Sequence, residues 1–510
     1  MMALATAANA QDAFTLEQTY EIQTSLSNGN TPLWLNANKY GLSSLSENYG
    51  YGRAAIRAIG ESGKFLWEAG ADVVVPVGMT SQGFEERYTS HLILQQLYAE
   101  AQYKHGILSI GAKQREMALK DNELSSGSQT FGINARPIPQ VRIDMDDFWT
   151  VPGLKGWIGV KAHLAYGLMT DGAWEESFAK GTKCVYNHST RYHEKSGFLH
   201  IGKEDRPFSV TAGLEMASQF GGDVYNWTGT DETQNDPQQK IHLDSNLKSY
   251  VNAFFGIGGG DVGEKQFKNA EGNMLGSWMI RADWKRSGYA VGFYIDHYFE
   301  DHSSMFFLDY DGYGTGSEWD KAKDFKLFVY NPQDALVGMD LKLENCRYLD
   351  KLVVEFLNTR YQSGPIYHDH NPNSPDHISG IDKYYNHSTL PGWQHWGQVM
   401  GNPLYLSPLY NSNGYIGTLC NRFKAWHFGA SGHLLPQLRY RALLSWQRGW
   451  GNYELPFIHP AENLSYLIEA SYDFDQMEIP LTLRLSYGAD YGKLRGDNQG
   501  LQFTLQYHIR

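Results

Sequence analysis

Near its end the chain alternates apolar and polar residues with a period of two. Leu501, Phe503, Leu505, Tyr507 and Ile509 share one parity, and Gln502, Thr504, Gln506, His508 and Arg510 share the other. In an extended chain successive side chains point to opposite faces, so this run is a strand with one apolar and one polar side. The alternation returns in Leu481, Leu483, Leu485, Tyr487, Ala489 and Tyr491, in Leu464, Tyr466, Ile468, Ala470 and Tyr472, and in Leu438, Tyr440, Ala442, Leu444 and Trp446. Upstream it recurs over 158–168, 208–216, 278–284 and 337–343. The longer runs match the ~9–11 residues of a tilted transmembrane strand, whereas strands of soluble sandwiches usually hold ~5–6. No fixed-length repeat supports a solenoid. The pattern predicts an all-β protein, a transmembrane antiparallel β-barrel with aromatic residues near its strand ends.

Connection lengths carry a second signal, because such barrels pair short periplasmic turns with longer extracellular loops. With the last strand descending to the periplasm, 492–500 is an outer loop, 475–480 an inner turn, 449–463 a long outer loop and 432–436 another inner turn. The same parity sends 358–421, the largest region without clear alternation, outward. It holds HDHNPNSPDH at 368–377, DKYYNHS at 382–388 and PGWQHWGQVMGNP at 391–403. A long ordered loop of that composition is usually functional. Another irregular stretch, 171–196, contains WEESFAK and predicts a short helix.

Composition narrows the classes of function. A net charge of −13 with no basic stripe argues against nucleic acid as a partner. No apolar run reaches the ~18–20 residues that a membrane helix needs, which leaves a soluble protein or a closed barrel. Cys184, Cys346 and Cys420 stand apart without a CxxC pair, so neither a zinc ribbon nor a disulfide scaffold is signalled. Ala8-Asn9-Ala10 before Gln11 has the form of an export cleavage site. Residues 1–10 read as the remnant of an export signal and 11–510 as a single barrel.

Several stretches resemble the Wzi family of capsule-assembly outer-membrane proteins, in the form carried by Bacteroidetes. They are LSSGS at 124–128, NARPIPQVRI at 134–143, YHEKSGFLHIGK at 192–203, GLEMASQFGG at 213–222, GNMLGSW at 272–278, HYFEDHS at 297–303 and FLNTRYQSGP at 356–365, with DKYYNHS and GQVMGNP completing the set. The resemblance covers roughly residue 98 to the C-terminus. It implies about eighteen strands, outer loops that occlude the lumen, and a small helical element on the periplasmic side. It also implies a lectin-like protein that retains or organises capsular or extracellular polysaccharide at the cell surface, and no enzyme. Outer-membrane lipid and the barrel-insertion machinery are the other partners it implies, for a monomer without cofactors. The chain departs from the usual barrel ending in closing on Arg510 rather than an aromatic residue.

Polysaccharide binding calls for aromatic faces against sugar C–H patches and for amides and charged groups against hydroxyls and uronic acids. Tyr384, Tyr385, Asn386, His387, Trp393, His395 and Trp396 offer that mixture; the competing reading is that they pack the loop into a plug. Arg439, Arg441 and Arg484 lie on polar strand faces, where they guide an acidic glycan or balance lumen carboxylates such as Glu469 and Asp473. His368, Asp369, His370, Asp376 and His377 are metal-ligand types, but their spacing fits no standard site and Pro372 and Pro375 break any helix, so a solvated turn is expected and no metal. Asp144, Asp146 and Asp147 read as a charged rim rather than a glycosidase pair. Gly258–Gly263 formally satisfies GxGxxG but precedes no apolar helix and reads as a turn. The alternatives to surface attachment are a porin-like diffusion channel and a secreted glycoside hydrolase on a β-scaffold.

Overall fold

The structure, a computed structural model, describes residues 14–79, 91–227, 239–257, 271–300, 334–362, 382–474 and 480–509, with two short paired segments at 307–308 and 325–326. The leader reading of 1–10, the histidine-rich 368–377 and Gly258–Gly263 lie outside the described residues.

Eighteen antiparallel strands close into one barrel. The first six are β1 (Phe14–Asn28), β2 (Asn48–Ser62), β3 (Phe65–Val77), β4 (Ile93–Tyr103), β5 (Gly106–Ala112) and β6 (Gln140–Met145). After a kink, β6 continues briefly as Trp149–Thr150. Next come β7 (Ile158–Leu168), β8 (Arg191–Gly202), β9 (Phe208–Phe220), β10 (Asn273–Arg286), β11 (Tyr289–Glu300) and β12 (Ala335–Leu343). The last six are β13 (Lys351–Asn358), β14 (Phe423–Leu435), β15 (Leu438–Gly451), β16 (Pro456–Asp473), β17 (Leu481–Gly492) and β18 (Asn498–Ile509). Each strand pairs with its sequence neighbours, and β1 pairs with β18 from Gln18 opposite Ile509 to Asn28 opposite Gln499. Closure leaves no strand edge, which is what allows a sheet to stand in lipid.

Parity sorts the side chains. On β18 the outward Leu501, Phe503, Tyr507 and Ile509 are exposed while the inward Gln502 and Thr504 are buried. Ile22, Ile280, Phe293, Ile468 and Leu485 extend the apolar belt around the wall. Aromatic pairs mark its lower margin, Phe65 with Tyr103 at 5.2 Å and Phe208 with Trp284 at 6.4 Å. These are the lipid belt and girdle of an outer-membrane barrel.

The two ends differ. One carries tight turns such as 63–64, 104–105, 287–288 and 436–437, together with the outer ends of β1 and β18. The other carries the connections 29–47, 113–139, 169–190, 221–272 and 359–422. Among the described residues the α-helices are α1 (Leu33–Asn36), α2 (Gly172–Ala179) and α3 (Leu247–Phe255), all in these long connections. Among the described residues the expected helical element on the short-turn side is therefore corrected, the helices lying at the opposite end, and α2 is the helix expected from WEESFAK. The expected loop 449–463 shrinks to 452–455, because β16 runs above the belt, where Ile458 is 94% exposed and lipid no longer imposes apolar alternation.

The belt has a direct test. Ile468, 60% exposed on the outward face of β16, is replaced by Lys in Ile468→Lys. The cost is about 2–4 kcal/mol for a cation at the bilayer midplane. The heat-modifiable folded band should fade in gels of unboiled samples, whereas a water-facing position would tolerate the change.

Candidate functional site

The lumen is filled from the long-loop end. Segments 29–47, 113–139 and 382–422 turn inward and share one apolar core with the wall. Leu33, Trp34 and Leu35 come from the first segment and Leu124 from the second. Tyr384, Tyr385, Trp393, Met400 and Tyr405 come from the third, and the wall adds Tyr192, Tyr298, Leu336 and Phe423. Backbone meets backbone where Gly132 N–H donates to the Met400 carbonyl at 2.9 Å. A Cβ on Gly401 would lie 1.9 Å from the Tyr385 hydroxyl and 2.3 Å from the Gln129 carbonyl, so only glycine fits there.

These segments are largely irregular, so their backbone N–H groups need acceptors other than a helix or sheet. Inward carboxylates of the wall provide them. Glu355 on β13 accepts from the Ser126 N–H at 2.7 Å and the Ser125 hydroxyl at 2.6 Å. Asp296 on β11 accepts from the Gln129 N–H at 3.0 Å and from Lys120 Nζ at 2.7 Å, both side chains fully buried. Glu300 accepts from the Tyr385 N–H at 2.6 Å and so holds that residue at a φ of +66°. Asp490 on β17 accepts from the Leu33 N–H at 3.0 Å. Asp334, just before β12, takes the Tyr361 N–H at 3.1 Å, and burial pushes its carboxyl up to about 6.

The residues expected to hold sugar lie within this plug. Tyr384, Tyr385 and Trp393 are at most 1% exposed. Tyr385 stacks on Tyr405 at 3.9 Å, and Trp393 packs on Tyr192 at 5.9 Å while its indole N–H donates to the Thr130 carbonyl at 3.2 Å. Asn386 exchanges hydrogen bonds with the Thr418 backbone at 2.8 and 2.6 Å. His387 accepts from the Leu390 N–H at 3.2 Å, and burial lowers its pKa to about 4. His395 is buried between the Arg136 carbonyl and Thr170. Trp396 is partly buried under the Arg136 guanidinium at 4.6 Å. The reading of these residues as a sugar-facing surface is corrected for Tyr384, Tyr385, Trp393 and His395, whose rings are buried on both faces and have none left for a ligand, and for the buried Asn386, while His387 and Trp396 are half-buried at its edge.

Arg439, Arg441 and Arg484 point into the lumen. Arg441 reaches Glu469 at 3.0 and 3.2 Å, Arg484 approaches the same carboxylate at 3.9 Å, and Arg439 pairs with Glu123 of the plug at 2.6 Å. Lys39, from the first plug segment, joins this cluster with its pKa lowered by burial to about 8. Asp473 instead accepts from the Thr482 hydroxyl at 2.7 Å.

The lumen is not packed throughout. A cavity of about 540 Å³ lies between segment 113–139 and the wall of β4–β9, and reaches the short-turn end at Asp146 and Phe148. Asp144 faces it, paired with Arg142 at 2.7 Å, while Asp146 is exposed beside His105 at 3.2 Å. Arg115, Lys113 and Glu100 complete a balanced set of charges. Among the described residues, His163 Nε2, Arg115 Nε, Gln140 Oε1 and Glu215 Oε2 on this lining are buried without a hydrogen-bond partner. No group of three or more metal-ligand side chains is assembled among the described residues.

Sequence reasoning did not single out a half-buried cluster at the long-loop rim, in which Arg448 and Tyr453 are exposed. Arg360 lies over Trp450 at 4.6 Å, Arg422 over Tyr453 at 3.8 Å, and Arg448 beside Trp450 at 5.6 Å. The Tyr453 hydroxyl donates to the Tyr361 carbonyl at 3.1 Å, which ties the two loops together. A hint lay in the outward parity of Arg448 and Trp450 at the end of an apolar run.

No protein-family model matches the sequence, and neither does any curated protein. Among solved structures the chain is similar in fold to OccK2 (OpdF) of Pseudomonas aeruginosa, with 8% identity over 97% of this chain and 98% of that one and a TM-score of 0.48. OccK5 (OpdH) of the same organism gives 10% identity over 97% and 98%, with a TM-score of 0.45. A loop-deletion form of OmpT, an outer membrane protein of Vibrio cholerae, gives 8% over 98% and 100%, with a TM-score of 0.37.

Two outcomes test the plug. Asp296→Asn leaves Lys120 as a buried charge without its counterion, a loss of about 3–5 kcal/mol. Trypsin should then cut after Lys120 in the detergent-solubilised barrel, and continued resistance would refute the anchoring role. The second concerns Glu175 of α2, which shares Gln394 with Asp171 at 2.8 and 2.9 Å. Burial first, and then the Asp171 charge, raise the Glu175 pKa well above its ordinary value. Its contribution to stability is therefore full below about pH 4.3 and declines as pH climbs towards the raised value. The gel-shift temperature should fall from pH 5 to pH 9 more steeply in the wild type than in Glu175→Gln; equal slopes would remove Glu175 from the account.

Proposed function

We propose that this protein is a plugged outer-membrane barrel that attaches or organises polysaccharide at its long-loop end, facing the cell exterior. The observation that carries the reading is the lumen itself. Three connections share one apolar core with the wall, and wall carboxylates anchor their backbones, an arrangement suited to a rigid platform rather than an open pore. The resemblance to the Wzi family supports the same reading.

The surface that suits a glycan is the rim cluster, not the buried aromatic residues. Arg360, Arg422 and Arg448 bring guanidinium groups for carboxylates, and Trp450 and Tyr453 bring rings for sugar faces. Arg448 is partly balanced by Glu462 at 3.6 Å and Arg422 by the buried Asp334, so three guanidinium groups face two carboxylates there. An acidic polysaccharide is the matching class.

The second reading is a diffusion channel, favoured by the charged cavity beside β4–β9. Two measurements separate them. Under the first reading, cells carrying Arg360→Ala, Arg422→Ala and Tyr453→Ala together shed glycan into the medium while the barrel stays heat-modifiable, and the purified wild type is silent in planar bilayers. Steady single-channel conductance with normal glycan retention in the triple variant would replace it with the channel.

A further inference from the structure

The outward face of the wall is not apolar everywhere. On β8, Leu199 and Ile201 face lipid, and His193 and Lys195 share their parity. Two polar groups at the upper margin of the belt would be costly against acyl chains. On β1, β3 and β4 the outward residues at the long-loop margin are bare apolar side chains: Leu26, Val75, Val77 and Leu94. In the sector from β7 to β11 they are covered. His193 is 1% exposed, and the outward Met216, Phe220, Met274 and Phe299 are buried too.

The cover is α3. It runs over Leu247–Phe255, capped by the Asn246 side chain, which accepts from the Ser249 N–H at 3.1 Å, and ended by Gly256 in the left-handed region at φ +65°. Its inner face carries Ser249, Asn252 and Ala253, all buried. The Tyr250 ring lies 5.1 Å from Phe220 and 5.2 Å from Tyr166, whose hydroxyl donates to the Tyr250 carbonyl at 2.9 Å. Phe254 sits 5.9 Å from His193 and 4.4 Å below the Lys195 ammonium, which also donates to the Phe254 carbonyl. That carbonyl belongs to the unsatisfied last turn, where a cation is favoured. The helix thus lies on the outside of the barrel and converts the two polar wall residues into its own anchor.

Its other face is unpartnered among the described residues. Leu247, Val251 and Phe255 follow one another at intervals of four and are 81%, 45% and 62% exposed. Successive residues four apart share a helix face, so they form one apolar stripe that continues the lipid belt below it. We infer that α3 is an interfacial helix that seats this stripe in the membrane leaflet at the long-loop end, with acyl chains as its partner. Continuity with the belt selects lipid as the occupant. The stripe stands where every neighbouring sector of wall presents apolar residues to the bilayer, and its depth suits the boundary between headgroups and acyl chains.

The experiment uses the full-length barrel with Cys184→Ser and Cys346→Ser, which leaves the buried Cys420, reconstituted into phosphatidylcholine–phosphatidylglycerol vesicles. Val251→Cys carries a nitroxide, and its accessibility to oxygen and to a water-soluble nickel chelate is compared with Ile280→Cys on the belt and Asp205→Cys in a short turn. The ratio of oxygen to nickel accessibility at position 251 should approach that at 280 and exceed that at 205 several-fold. A ratio like that at 205 places the stripe in water and overturns the proposal. Spin–spin broadening at 251 that disappears on dilution with unlabelled protein assigns the stripe to a second copy, and overturns it equally. Lys195→Met supplies an independent check that keeps the belt intact: with its anchor weakened, α3 should loosen and the nickel accessibility at 251 should rise. An unchanged value would remove Lys195 as the anchor and with it the account of why the wall is polar there.

Discussion

A buried carboxylate of the wall accepting backbone N–H groups from an irregular loop is the interaction on which the interior depends. A chain that leaves the sheet and turns into the lumen takes its amides away from water, and each unmade hydrogen bond there costs about 1–3 kcal/mol. Regular structure would satisfy them, but the three plug segments have only α1, one 3-10 turn at Pro408–Tyr410 and a two-residue ladder at 394–395 and 398–399 in their described parts. Glu355, Glu300, Asp296 and Asp490 therefore do for these loops what a neighbouring strand does elsewhere. Burying an acid is unfavourable in itself and becomes tolerable only when several donors converge on it. Asp296 meets this condition with a buried lysine, a backbone amide and the Gln129 side chain.

This arrangement makes the plug a structural continuation of the wall. Its apolar residues pack against inward Tyr298, Leu336 and Phe423, and its polar ones are met by the inward acids, so neither set is left facing a water-filled bore. An exception is the sector of β4–β9, where charges of both signs face a cavity. The Arg142 guanidinium lies between Asp144 and Glu194 there, so the field inside is close to balanced and favours neither ion strongly.

The wall was legible in the sequence because lipid imposes a rule on every second residue. Over 481–491 and 501–509 the alternation reads directly as β17 and β18. Where lipid stops, so does the rule, and 456–463 read as loop although it is the upper part of β16. The plug was harder to read. Tyr384, Tyr385 and Trp393 have the same composition whether they face sugar or protein, and nothing within the loop distinguishes the two cases. The distinguishing mark lay in the strands, as inward acids at Asp296, Glu300 and Glu355 on runs with few inward bases. A similar mark, polar residues at outward positions 193 and 195 on the same face as Leu199 and Ile201, pointed to the cover supplied by α3.

The seam between β1 and β18 joins the two ends of the described chain. A ring whose last link lies almost 500 positions from its first cannot become watertight until β18 has been made. The plug has the same property, since Trp34 of its first segment packs in a core with Tyr405 of its third. Sealing and filling therefore fall late in biogenesis and close together in time. An intermediate arrested before that moment would be a curled sheet with two bare edges and unsatisfied acids on its concave side.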